Sequence, residues 1–151
     1  MLRVKLHIIL FAAVILITAC HAGHSGPGAD GRDSVYTAGY IQQISFEEPE
    51  EALALLDTAE GKRLLTPFEI NALRCFVNHN GLSRYRAALF YGRKAYADPE
   101  ARQHPDRLLP LLSYMAEDSH TNGDYGASVR YCAEGLDLAR QQGSKTYEAD
   151  F

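Results

Sequence analysis

The chain is 151 residues long, about one domain's length and enough for a single hydrophobic core. Nineteen acidic against 15 basic residues leave a formal charge of −4, and no basic block follows Lys5, which argues against nucleic acid as a partner. An apolar fraction of 46% with nine tyrosines excludes a chain that is disordered throughout.

In chain order the first segment reads as an export signal. Arg3 and Lys5 supply a positive start, Leu6 to Ala19 are apolar except for His7 and Thr18, and the run stops at a small residue followed by polar ones. It is shorter than the ~20 apolar residues that span a bilayer. Ile17-Thr18-Ala19-Cys20 resembles the lipobox of bacterial lipoproteins. That resemblance implies removal of residues 1–19 as a signal peptide and acylation of Cys20, with palmitate among the chains that fix the protein to membrane lipid. Each buried methylene contributes ~0.8 kcal/mol, so several acyl chains anchor stably. In such lipoproteins a residue other than Asp after the lipidated Cys, here His21, favours the outer membrane, facing the periplasm. The alternative is an ordinary signal peptide cut near Ala19 or Ala22. Residues 20–33, rich in Gly with Pro27, read as a flexible tether, and His21 and His24 as solvated spacer within it.

From Ser34 the apolar spacing predicts an all-α domain over residues 34–151. A first helix covers Ser34 to Ile44 and a second opens at Pro49, where Glu47, Glu48, Glu50 and Glu51 complement the helix dipole. Thr66-Pro67-Phe68-Glu69 is a capping box that starts a third helix running to Asn80-Gly81. A fourth follows from Ser83 to Asp98-Pro99. Pro105 and Pro110 frame the start of a fifth that ends at Asn122-Gly123. A sixth spans Tyr125 to Gln142-Gly143, and Lys145 to Phe151 begins a seventh without a partner.

Small or apolar residues recur at matching steps in the second helix of each pair: Ala52, Leu56 and Ala59, then Ala88, Gly92 and Ala95, then Ser128, Cys132 and Gly135. The sets start 36 residues apart (52 to 88) and then 40 apart (88 to 128). Small residues at such steps let paired helices approach closely. With Gly123-Asp124-Tyr125, Tyr85 one unit earlier and Asp98-Pro99 as an exit, the pattern resembles tetratricopeptide repeats. The resemblance covers Ser34 to Gln142 and implies stacked antiparallel helical hairpins, about three repeats plus the start of a fourth. A generic helical bundle is the alternative. Cys75 and Cys132 read as small core hydrophobes rather than as a disulfide.

No motif for catalysis stands out, so the chain is read as no enzyme, with no cofactor and no metal site. Asp118, Asn122 and Gly123 fall at calcium-loop offsets, but His120 and Val129 occupy positions that need oxygen ligands. His79, His104 and His120 are the histidines of the domain that could move a proton. Tetratricopeptide-like repeats imply a concave face, formed by the first helix of each pair, that binds a protein or peptide. Its candidate residues here are Asn80, Ser113, Glu117 and His120, while Tyr36, Tyr40, Tyr85, Tyr91, Tyr114, Tyr125 and Tyr131 are expected in packing. The expected function is a membrane-anchored interaction scaffold of the cell envelope. The alternative is the sensory repeat segment of a truncated envelope regulator, of histidine-kinase or transcription-regulator type, prompted by the unpartnered final helix.

Overall fold

The fold is that of a computed structural model, described for residues 34–151. The signal segment, Cys20 and the tether lie outside the described residues. Seven α-helices make up the described part: α1 (Ala38–Ile44), α2 (Pro49–Lys62), α3 (Pro67–Phe76), α4 (Tyr85–Ala97), α5 (Pro105–Thr121), α6 (Tyr125–Gln142) and α7 (Lys145–Asp150). There is no strand among the described residues.

The helix ends form where local chemistry sets them. The Thr66 hydroxyl accepts from the Glu69 amide at 3.2 Å, and the Glu69 carboxylate accepts from the Thr66 amide at 3.0 Å, closing the expected capping box. Asp124 caps α6 by accepting from the Ala127 amide at 3.0 Å. Gly123 and Gly143 end α5 and α6 with φ of +82° and +65°, a left-handed turn that costs a glycine little. The first expected helix is broken instead, a 3₁₀ turn over Ser34–Tyr36 preceding α1, because Thr37 caps α1 by accepting from the Tyr40 amide at 3.3 Å.

Helices pack in sequence, α1 on α2, α2 on α3 and onward to α7, and α3 also lies beside both α1 and α5. α3 is therefore shared between two apolar clusters. Its Ile70 and Leu73, with Val77 just beyond, join Ile41, Ala52, Leu56 and Ala59; its Phe68 and Cys75 join Ala88, Leu89, Ala95, Leu108, Leu111, Leu112 and Met115. The small-residue steps fall where they are needed. A Cβ on Gly92 would stand 2.8 Å from Met115 Cγ and 3.2 Å from Cys75 Sγ, so α4 can sit against α3 and α5 only without one. Gly135 likewise receives the ring of Phe151. The third set is looser, with Ser128 and Cys132 half-buried. Cys75 is buried and both cysteines are free thiols. Two tyrosines expected in packing face solvent, Tyr40 and Tyr125, because each lies in the first turn of its helix where the neighbour does not reach.

Candidate functional site

Three alternate helices, α1, α3 and α5, line one groove of about 280 Å³. Ala38 and Gln42 come from α1; Phe68, Glu69, Ala72, Leu73 and Phe76 from α3; Asp106, Arg107, Pro110, Leu111 and Tyr114 from α5. Their common face carries apolar side chains that the two cores leave partly exposed, among them Ala38, Ala72, Phe76 and Tyr114. One end is closed by an ion pair, Arg107 to Glu69 at 2.8 Å, with Glu69 already fixed by its capping role. Pro110 lies inside α5 rather than at its start; it adds apolar floor and cannot donate to the carbonyl of Asp106, four residues earlier.

The other end of the groove leads into a polar cluster. Phe76 packs edge-on against Tyr114 at 5.9 Å, and Tyr114 in turn lies 4.7 Å from the imidazole of His79. His79 sits on a π-helical turn, Val77–Gly81, in which the Leu82 amide bonds the Val77 carbonyl at 3.2 Å. Such a turn inserts one residue into a helix and often marks a functional position. Its displaced carbonyls are met by side chains and loop: the Asn78 amide donates to the Arg74 carbonyl at 2.8 Å, the Asn80 amide to the Phe76 carbonyl at 3.3 Å, and the Arg84 amide to the Asn78 carbonyl at 2.8 Å. The return into α4 runs through Ser83, a non-glycine residue at φ of +51°.

The π turn places His79 Nδ1 2.8 Å from Asp118 Oδ1 and Nε2 3.5 Å from Glu117 Oε2, both on α5. The Asp118 side chain is fully buried, and its second oxygen, Oδ2, has no hydrogen-bond partner, nor has the buried hydroxyl of Ser119. Burial opposes charge on the imidazole, but the hydrogen bond and charge of Asp118, with Glu117 behind, outweigh it and hold the His79 pKa above its ordinary value. Burial pushes the Asp118 carboxyl up as well, only partly offset by His79, and the charge of Glu117 adds to the rise. Both shifts favour a bound proton. The Tyr114 phenol is also pushed up, chiefly by burial, against a hydrogen bond from Asn80. Burial, reinforced by the Asp118 charge, drives the Cys75 thiol far upward, so it is no nucleophile.

Of the expected binding residues, Asn80 and Glu117 meet at this cluster. Ser113 is half-buried on α5 beside it, and His120 lies apart, its ring 5.2 Å from that of Tyr125. His79 was recognisable only as a histidine able to carry a proton and Asp118 only by its calcium-loop offset; their partnership spans 39 positions that no local pattern links. Glu117 and Asp118 approach opposite nitrogens of one ring, and among the described residues no His, Cys, Asp or Glu group converges to hold a metal ion.

A second depression, of about 560 Å³, lies between α4 and the start of α6. Two of its cations are engaged, Lys94 over the Phe90 ring at 4.7 Å and Arg93 facing Asp124 at 3.5 Å, while Arg86 is exposed. No helix among the described residues is long and apolar enough to cross a membrane. No protein-family model, curated protein or solved structure matches the chain.

Proposed function

We propose that the chain is a helical-repeat interaction module that captures a partner segment along the groove of α1, α3 and α5, and that Cys20 anchors it to the envelope membrane. One observation carries the first half of this reading: the first helices of three successive pairs share a single apolar groove, closed at one end by Arg107 and Glu69 and bordered at the other by His79 and Glu117. Repeated hairpins dispose their helices in this way, with each unit contributing one element to a common face. The buried dyad of His79 and Asp118 fixes α3 against α5 and so sets the width of that face. A rigid groove binds more tightly than a mobile one because less ordering is lost on capture.

A photoreactive residue at exposed Gln42 tests the groove in whole envelopes. Crosslinks to a discrete partner are expected, and they should vanish when Ala72→Trp fills the floor; crosslinks that persist unchanged in that variant would place the partner elsewhere. The anchor has its own test. Labelled palmitate should enter the wild-type chain and not Cys20→Ala, which should leave the membrane fraction, and equal labelling of the two would remove the lipoprotein half of the proposal.

A further inference from the structure

The charges that border the groove identify the chemistry of its occupant. Arg107 is held by Glu69 at 2.8 Å, so the one cation in the lining is neutralised in place. Asp106 is exposed and forms no ion pair among the described residues, and the Glu117 side chain is 64% exposed and shares His79, 3.5 Å away, with Asp118. The groove is thus apolar along its floor, with the unpaired Asp106 carboxylate lining one end and the exposed Glu117 carboxylate one turn beyond Tyr114 at the other.

The two carboxylates are eleven residues apart on one helix (106 to 117), about 16 Å along the axis at 1.5 Å per residue. Eleven residues also make three turns plus about 20°, so both lie on one stripe together with Pro110. At the Asp106 end a second acceptor is present, because Pro110 has no N–H for the Asp106 carbonyl. An extended peptide covers 16 Å in about five residues at 3.3 Å each, and because its side chains alternate faces, two that share a face bracket that span at about four or six residues.

We propose that the groove takes an extended basic peptide, with two Lys or Arg side chains about four or six residues apart, on one face of the peptide, meeting Asp106 and Glu117, and an apolar stretch between them over Phe76, Pro110 and Tyr114. The inference rests on the groove being the binding face. The buried carboxyl of Asp118 is not a contact for such a peptide, being paired with His79 at 2.8 Å.

The full-length chain in detergent micelles can be selected against a displayed library of random seven-residue peptides. Selected peptides are expected to carry Lys or Arg at that spacing around apolar residues. A synthetic copy of the best one should bind about fivefold more weakly to Asp106→Asn and to Glu117→Gln, and about twenty-fivefold more weakly to the double variant, as two separate exposed ion pairs would. Molar salt should weaken binding comparably. Selected peptides that are acidic or uncharged, or that ignore both variants, overturn the charge assignment, and the groove reading survives if Ala72→Trp abolishes their binding. If nothing is selected, or if selected peptides bind Ala72→Trp as well as the wild type, both readings fall.

Discussion

α3 and the turn that prolongs it send one basic side chain to each neighbour, and the two clamps differ in the depth of one acid and in the base itself. Arg74 reaches back to α2, where Nη2 lies 2.6 Å from Asp57 and 2.7 Å from Glu60. His79 reaches forward to α5, where it meets Asp118 at 2.8 Å and Glu117 at 3.5 Å. Each is one cation spanning two carboxylates of the adjacent helix. The acids of Arg74, however, are 73% and 58% exposed, whereas the Asp118 side chain is 0% exposed. The outer clamp is permanently charged and screened by water; the inner one is shielded and can lose its proton. The burial of Asp118 makes the inner clamp the stronger one, and the imidazole, which unlike a guanidinium can lose its proton, makes it the one that responds to pH.

Breaking the inner clamp should have the largest effect. His79→Ala leaves the buried Asp118 carboxyl with neither oxygen paired, and a loss of about 3 kcal/mol is expected from chemical denaturation, or roughly 10 °C in Tm for a domain of this size. A loss below about 1 kcal/mol would show the dyad to be incidental. Arg74→Ala should cost less, about 1 kcal/mol, since its partners remain hydrated, and part of that loss belongs to its packing over the Tyr91 ring at 5.5 Å. Molar salt should shrink the Arg74 difference and leave that of His79 nearly unchanged.

The smallest expected effect sharpens the contrast most. His79 and Asp118 both have pKa values raised in the folded protein, so folding takes up protons and unfolding free energy declines as pH rises. The His79 contribution is complete below the ordinary imidazole value of about 6.5 and is lost as pH climbs through the raised folded value. Denaturation at a series of pH values above 6.5 should show this decline in the wild type and in Arg74→Ala, and a flatter profile in His79→Gln. An equal slope in all three would assign the decline to other groups.

Much of the scaffold was legible in local signals because those signals act locally. Thr66 with Glu69, Pro49, Pro105, Gly123 and Gly143 mark helix ends through bonds or torsions within four residues, and each stands at a helix terminus. The steps at Ala52, Leu56 and Ala59 and at Ala88, Gly92 and Ala95 name buried positions because helical periodicity alone selects a face. The site was legible in part: Asn80 and Glu117 follow from the expectation that first helices line a common surface. What joins them was not. The approach of His79 to Asp118 depends on how α3 and α5 cross and on an extra residue that turns α-helix into π-helix, and neither leaves a mark in composition or spacing. Asp118 even carried a misleading sign, since Asp near Asn-Gly usually belongs to a hydrated turn.

The π turn at Val77–Gly81 also ties the site to chain length. Each residue of an α-helix advances the face by about 100°, so a helix shortened by one residue there would present Asn80 or Asn78 where His79 now stands. Every residue of the cluster would still be encoded, and none would meet its partner. A relative lacking that single residue would therefore keep the helices and their cores, yet leave Asp118 facing an amide, and its groove would have to be held open by different means.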